Sequence, residues 1–247
     1  MFDNKKFTMI KELCKENKEF AEAYHELMEE ECQMMENAKL EFRNRFALIL
    51  GNMQLMETKD ENLLENRNWL QLVSDVKEVY ELLEKFSLYL INDETKSASM
   101  DIQKLVQEIF QDFRAICIIK ELDMKLEVAK DAEEISKTYV TDYVKLKEIL
   151  QSLIKNATET VEMGGNITVV IEKGKEDKLT ISVKNSRTMV SNEQKKEIFE
   201  PKFHSQKGKN GLELPLCAKF TAMLNGTIEV DSTEQETKFQ VCLPIAG

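Results

Sequence analysis

Residues that break helices are nearly absent from about the first ninety positions, which hold no proline and one glycine, Gly51. Each residue there keeps its amide donor and avoids the entropic cost of glycine, so long helices are open to it. The apolar residues specify the kind of helix. Phe42, Phe46, Ile49, Met53 and Met56 advance by four, three, four and three, the seam of a coiled coil rather than a single broad stripe. Ile10, Leu13, Phe20, Tyr24 and Leu27 fit the same frame with gaps, so helix one is expected from near residue 5. The polar run "ETKDEN" (57–62) interrupts the pattern. Trp69, Val73, Val76, Tyr80, Leu83 and Leu90 resume it, predicting helix two from about Leu63 to Ile91. Two helices joined by a short polar turn make an antiparallel hairpin. One hairpin leaves apolar surface uncovered, and pairing with a second copy into a four-helix bundle is the economical arrangement. A free-standing coiled coil is the plainer alternative.

"NDETKSAS" (92–99) is polar and marks a boundary. It divides a helical dimerisation hairpin, residues 1–95, from a second domain, 96–247, in which the periods alternate. There "IQKLVQEIFQDFRAICIIKEL" (102–122) reads as a helix, while "MKLEVA" (124–129) and "ISKTYV" (135–140) read as strands. Asp142 is a suitable cap for a long helix over 143–163, since its carboxylate can accept from first-turn amides. "NITVVIEK" and "KLTISVKN" predict a hairpin of strands across "GKED", a helix follows at roughly 214–224, and "GTIEVDS" with "TKFQVCLPI" closes the chain as a second hairpin. Pro215 is tolerated in the first helical turn. Helices segregated from a mixed sheet give an α+β chain whose second domain is a two-layer α/β sandwich.

Composition excludes several classes. No apolar run approaches the roughly 18 residues of a membrane helix, and the start "MFDNKKFTMIKELCKENKEF" has no signal-peptide core. The five cysteines, Cys14, Cys32, Cys117, Cys217 and Cys242, show no CxxC spacing and read as reduced thiols of a cytoplasmic protein. A formal charge of −11, with no basic patch interleaved with aromatics, argues against nucleic acid as a partner. Helix one begins close to Met1, so no sensory domain is expected within these 247 residues.

The most informative wording is "LEFRNRFALILGNMQLM" (40–56), "LKEILQSLIKNATETV" (146–161), "IFEPKF" (198–203) and the closing "NGTIEVDS…TKFQVCLPI". Together and in this order they resemble the bacterial sensor histidine kinase family. That family joins a phosphotransfer hairpin to an ATP-binding domain of the fold shared with DNA gyrase, heat-shock chaperones and mismatch-repair ATPases. The resemblance spans about residues 36–246, and the opening is most similar to sporulation-type kinases.

The resemblance implies a role for particular positions, and several are altered. The phosphoacceptor histidine slot holds Leu40, a hydrocarbon with no lone pair to attack phosphorus. Glu41, Arg43 and Asn44 follow in the family's order, and Arg45 replaces a proline. His25, in "AYHELMEE", lies roughly 22 Å upstream along a helix, too far for the same docking geometry. The asparagine that ligates magnesium is kept as Asn156; an amide oxygen suits that hard cation. In the adenine loop Asn185 stands for aspartate, and Arg187 and Met189 stand for glycines, so their side chains are expected to fill the base pocket. The phosphate loop, "KNGLEL" (209–214), keeps Gly211, Leu212 and Leu214 but carries Glu213 at the last glycine. A carboxylate there opposes phosphate, with Lys207 and Lys209 available to offset it.

What the resemblance implies is therefore a pseudokinase: a dimeric two-component scaffold with no catalytic residue. It would modulate a phosphorelay, with a sporulation relay suggested by the resemblance, by binding a response-regulator receiver domain or an active histidine kinase through Phe42, Arg43, Asn44 and Phe46. No cofactor is expected. If residual nucleotide binding survives, ATP and magnesium would be held by Asn156, Asn185, Gly211, Leu212 and Lys207, with Asn156 on the metal. The alternative is an active ATP-dependent kinase or phosphotransferase with an unusual site. A purely structural coiled-coil protein is a third reading, which leaves the sandwich without a role.

Overall fold

The computed structural model describes residues 13–90, 95–175, 177–186, 189–200 and 211–245. The described residues divide into two compact units, 13–90 with Gly211 and Leu212, and 95–200 with 213–245.

In the first unit, helix α1 (Lys18–Lys59) runs for 42 residues. The expected start near residue 5 lies outside the described residues; within them the helix is interrupted at Asn17. Asn17 has an extended backbone (φ −132°) and its side chain accepts from the Phe20 amide, so it caps a new helix and separates it from the helical turn at 13–16. Helix two is shorter than expected. A 3-10 turn, Glu61–Glu65, precedes helix α2 (Arg67–Leu90), because Asn66 Oδ1 accepts from the Asn68 and Trp69 amides and starts the helix there.

The antiparallel register is fixed by two contacts. Trp69 Nε1 donates to Glu57 at 2.9 Å, and the Phe46 and Tyr80 rings meet at 6.1 Å in a tilted pair. The expected seam divides between two directions. Met53 is buried, whereas Phe42, Ile49 and Met56 remain 43–50% exposed, and Leu48 is 69% exposed.

The second unit opens with strand β1 (Ser97–Met100), helix α3 (Ile102–Asp112), helix α4 (Arg114–Lys120) and strand β2 (Asp123–Val128). Helix α5 (Glu133–Lys137), strand β3 (Tyr139–Asp142), helix α6 (Tyr143–Thr160), strand β4 (Asn166–Lys173) and strand β5 (Lys178–Ser186) follow. Helix α7 (Asn192–Glu197), helix α8 (Glu213–Met223), strand β6 (Thr227–Ser232) and strand β7 (Glu236–Pro244) complete it. The main sheet has the order β2-β4-β5-β7-β6; β2 pairs parallel with β4 and the other pairs are antiparallel. A separate two-stranded sheet joins β1 to β3, with Ser97 opposite Asp142.

Alternate residues of β4 and β7 are covered, whereas residues 179–183 of the central strand β5 are all buried. Ile167, Val169 and Ile171 of β4 and Phe239, Val241 and Leu243 of β7 are all at most 1% exposed, while the residues between them are partly open. This in–out period is that of a sheet packed on one face. Helices α6 and α8 lie side by side; α6 contacts β4 and β5, α8 contacts β6, and α3 touches both β2 and α6. Tyr139, buried beside the sheet, donates its hydroxyl to the Pro244 carbonyl at 2.5 Å, and burial pushes its pKa up to about 12.

Two sequence expectations are corrected in this unit. The helix expected over 102–122 breaks at Phe113, whose ψ of 3° ends α3 before α4 begins. "ISKTYV" is not one strand. Ser136 is buried and its hydroxyl bonds back to the Glu133 carbonyl at 3.1 Å, while Gln103 Nε2 donates to that same carbonyl. These bonds close a helical turn, and extended backbone resumes only at Tyr139.

Gly226 lies where α8 turns into β6. A β-carbon there would stand 2.5 Å from the Cys242 carbonyl oxygen and 2.6 Å from Leu243 Cδ2. Gly226→Ala is therefore expected to destabilise the second unit by about 1–3 kcal/mol, visible as a fall of several degrees in Tm. Gly51→Ala, where nothing lies within 4 Å of the added carbon, carries no such penalty.

Candidate functional site

The site is organised by α6, which is held at both ends. At its start Asp142 Oδ1 accepts from the Lys145 amide at 3.0 Å, and Oδ2 accepts from the Lys96 amide at 2.8 Å and from Lys145 Nζ at 3.0 Å. Burial alone would raise the pKa of this carboxyl. The two amides and the ammonium outweigh it and hold the group below the usual carboxylate range. At the other end Lys120 Nζ donates to the carbonyls of Thr158, Glu159 and Val161 at 2.7, 3.3 and 3.3 Å, satisfying acceptors that a helix terminus leaves open. Between the ends Leu146, Ile149, Leu150, Leu153 and Ile154 are all 0% exposed. Five such side chains contribute roughly 10 kcal/mol of gross burial energy.

So anchored, α6 presents Lys155, Asn156 and Thr160. Asn156 is half-buried. Thr160, one turn on, donates its hydroxyl to the Asn156 carbonyl at 2.7 Å and accepts from Asn185 Nδ2 at 3.4 Å. Thr160, which sequence reasoning did not name, thus links the Asn185 side chain to the main chain of α6 one turn after Asn156. Asn185 is 2% exposed at the end of β5, with its amide nitrogen already directed into the protein.

Lys155 is the second residue that sequence reasoning missed. Its Nζ lies 3.0 Å from Glu213 Oε1, at the first residue of α8, and 3.9 Å from Glu159 on its own helix. The Glu213 side chain is 16% exposed. Just before it, Gly211 has φ +61°, a conformation that favours glycine, and Leu212 is fully buried. Only the proximity of Lys155 to Asn156 in "LIKNA" hinted at it; its pairing with residue 213 is a tertiary fact.

Another expectation is corrected at the adenine loop. Met189 was expected to fill the base pocket, but it is 66% exposed. The next residue, Val190, donates its amide to Ser232 Oγ at 2.9 Å, and that bond ties the loop to β6 while Met189 turns to solvent. Arg187, Lys207, Lys209, His204, Pro201 and Phe203 lie outside the described residues. The described part of "IFEPKF" serves as a packing corner: the Phe199 ring meets Phe239 edge-on at 6.4 Å.

In the helical unit, Leu40 is 56% exposed on α1. Glu41 is engaged by Arg45, whose Nη2 and Nε donate to Oε1 at 2.6 and 3.1 Å. The residue replacing the expected proline therefore forms an i,i+4 pair along an unbroken helix. Arg43 and Phe42 line a groove of about 130 Å³ together with Met35, Tyr80, Glu84 and Phe86, and Asn44 is exposed nearby on the same helix. His25 is exposed, 3.4 Å from Glu29. No group of three or more metal-ligating side chains occurs among the described residues, and none of their helices is long and apolar enough to cross a membrane.

A mixed sheet backed by α6 and α8, with an asparagine on the first helix and a glycine turn before the second, defines an ATPase-type domain. The profile of the family described as "Histidine kinase-, DNA gyrase B-, and HSP90-like ATPase" matches residues 141–247. Sporulation kinase E of Bacillus subtilis (strain 168) is 23% identical over 83% of this chain and 27% of its own length. Sporulation kinase C of the same organism is 23% identical over 83% of this chain and 47% of its own. This chain thus spans less than half the length of these two relatives. Among solved structures, full-length ShkA in complex with AMPPNP has a TM-score of 0.74 at 19% identity, covering 87% of this chain and 46% of that one. The histidine kinase ThkA in complex with the response regulator protein TrrA has a TM-score of 0.61 at 20% identity, covering 86% and 61%. Residues 141–247 thus match a histidine-kinase-, DNA gyrase B- and HSP90-like ATPase domain, and the chain is similar to sensor histidine kinases over most of its length.

The Asp142 arrangement has a pH consequence. A carboxyl whose folded pKa is depressed contributes stability that is complete above the unfolded value of about 4 and is lost as pH falls through the lower folded value. Asp142→Asn should therefore be less stable than the wild type at pH 7, by about 1 kcal/mol or more, because a neutral amide with one oxygen cannot serve the Lys145 amide, the Lys96 amide and the Lys145 ammonium together. The gap between the two should narrow in melts taken below pH ~4.

Proposed function

We propose that this histidine-kinase-like two-component protein is a pseudokinase: it binds a signalling partner and transfers no phosphate. The observation that carries this reading is Leu40, an open hydrocarbon at the acceptor slot, beside a Glu41 that is tied to Arg45. A phosphoacceptor must supply a nucleophilic lone pair within reach of phosphorus, and neither leucine nor a distant His25 does so. Glu213 beside Lys155 and the inward amide of Asn185 support the same reading at the nucleotide end.

The proposed partners are a response-regulator receiver domain or an active histidine kinase, docking on the helices around Phe42, Arg43, Asn44 and Phe46. The groove beside Phe42 and Arg43 gives such a partner a mixed apolar and charged surface. The ThkA complex with a response regulator supports the receiver as the first choice. The exposed stripe of Phe42, Ile49 and Met56 supports a cytoplasmic homodimer built as a four-helix bundle. An ATP-binding enzyme remains the alternative reading, favoured by Gly211, which keeps its left-handed turn, and by Asn156 on the site's wall.

Incubation with labelled ATP, magnesium and a receiver domain tests this directly. The pseudokinase reading expects no phosphohistidine on this chain and no measurable nucleotide affinity below millimolar, and phosphohistidine or micromolar ATP binding would falsify it. Leu40→His alone is expected to leave the chain unlabelled. Sedimentation should show a dimer, with Ile49→Glu shifting it to monomer at micromolar concentrations.

A further inference from the structure

The ion pair between Lys155 and Glu213 joins α6 to the first residue of α8. It is not an ordinary surface pair. The Glu213 side chain is 16% exposed and the Lys155 side chain 34% exposed, with their charged atoms 3.0 Å apart. Lys155 immediately precedes Asn156, and Gly211 two residues before the carboxylate retains φ +61°. A backbone turn of that shape therefore persists although the residue that follows it has become an acid.

We propose that Glu213 is a tethered anion that occupies Lys155 and closes this corner to polyphosphate, an autoinhibitory contact in which anion affinity is masked rather than lost. The inference rests on the reading that the wild-type site does not hold nucleotide, and adds its cause: the cation a phosphate chain would meet is already satisfied by the chain's own carboxylate. A tethered group competes at a high effective concentration, of order millimolar or more, whatever the free ligand's concentration. A contact closed about 90% or 99% of the time lowers the apparent affinity of a competing anion about ten- or a hundredfold. Glu159, 3.9 Å from the same ammonium, adds a second negative group that a ligand has to face.

The test uses the full chain and tripolyphosphate with magnesium, a probe without a base, so the adenine loop plays no part. Titration calorimetry compares the wild type, Glu213→Gln and the double variant Lys155→Met/Glu213→Gln, each first shown by thermal melting to be folded. Glu213→Gln is expected to bind at least tenfold more tightly than the wild type, and the double variant to lose that gain. Equal affinity of Glu213→Gln and wild type overturns the latch, as does a gain that survives in the double variant. The two readings separate: tight MgATP binding by the wild type sinks the pseudokinase reading, whereas the latch is judged by the difference that Glu213→Gln makes.

Discussion

The burial of one face of α6 against the sheet is the constraint on which the second unit depends. Leu146, Ile149, Leu150, Leu153 and Ile154 leave no exposed area, so the helix cannot rotate or slide without opening a cavity in a closely packed interior. Its ends reinforce this. Asp142 ties its first turn to the amide of Lys96, and Lys120 holds its last carbonyls. Lys155, Asn156 and Thr160 inherit their positions from that burial, and with them the whole geometry of the candidate site.

The second unit combines the framework of a histidine-kinase-type ATPase domain with polar side chains that pair within the chain. The sheet order, the α6–α8 pairing and the glycine turn at Gly211 keep the framework of a histidine-kinase-type ATPase domain. On that framework the polar groups are turned toward one another. Glu213 lies against Lys155, Asn185 against Thr160, and Glu41 against Arg45. The Lys155–Glu213 and Glu41–Arg45 pairs each satisfy opposite charges within the chain. The hairpin is the opposite case: its apolar residues remain open, as suits a surface used for association.

Much of this architecture was legible because it is locally encoded. Strands β4 and β5 announce themselves by β-branched alternation, and the cap at Asp142 by a carboxylate just before a helical period. The substitutions at Leu40 and Glu213 were legible too, since a missing lone pair and an added charge are properties of single residues. What escaped was tertiary or short. The stretch 135–140 alternates like a strand, but the hydrogen bonds from Gln103, 30 residues away in sequence, and from Ser136 make its first part a helix. The Lys155–Glu213 pair spans 58 residues, and no local pattern encodes it. Met189 stands at a glycine position of the adenine loop, which suggests a side chain in the base pocket, whereas the bond from Val190 to Ser232 leaves it facing solvent.

The central claim is that no nucleotide engages the wall formed by α6 and the end of β5. Side-chain amide NMR of Asn156 and Asn185, followed while an ATP analogue and magnesium are added to the full chain, probes that wall atom by atom. The account predicts that both pairs of amide signals stay in place up to millimolar ligand. Saturable shifts of both at micromolar concentrations would contradict it.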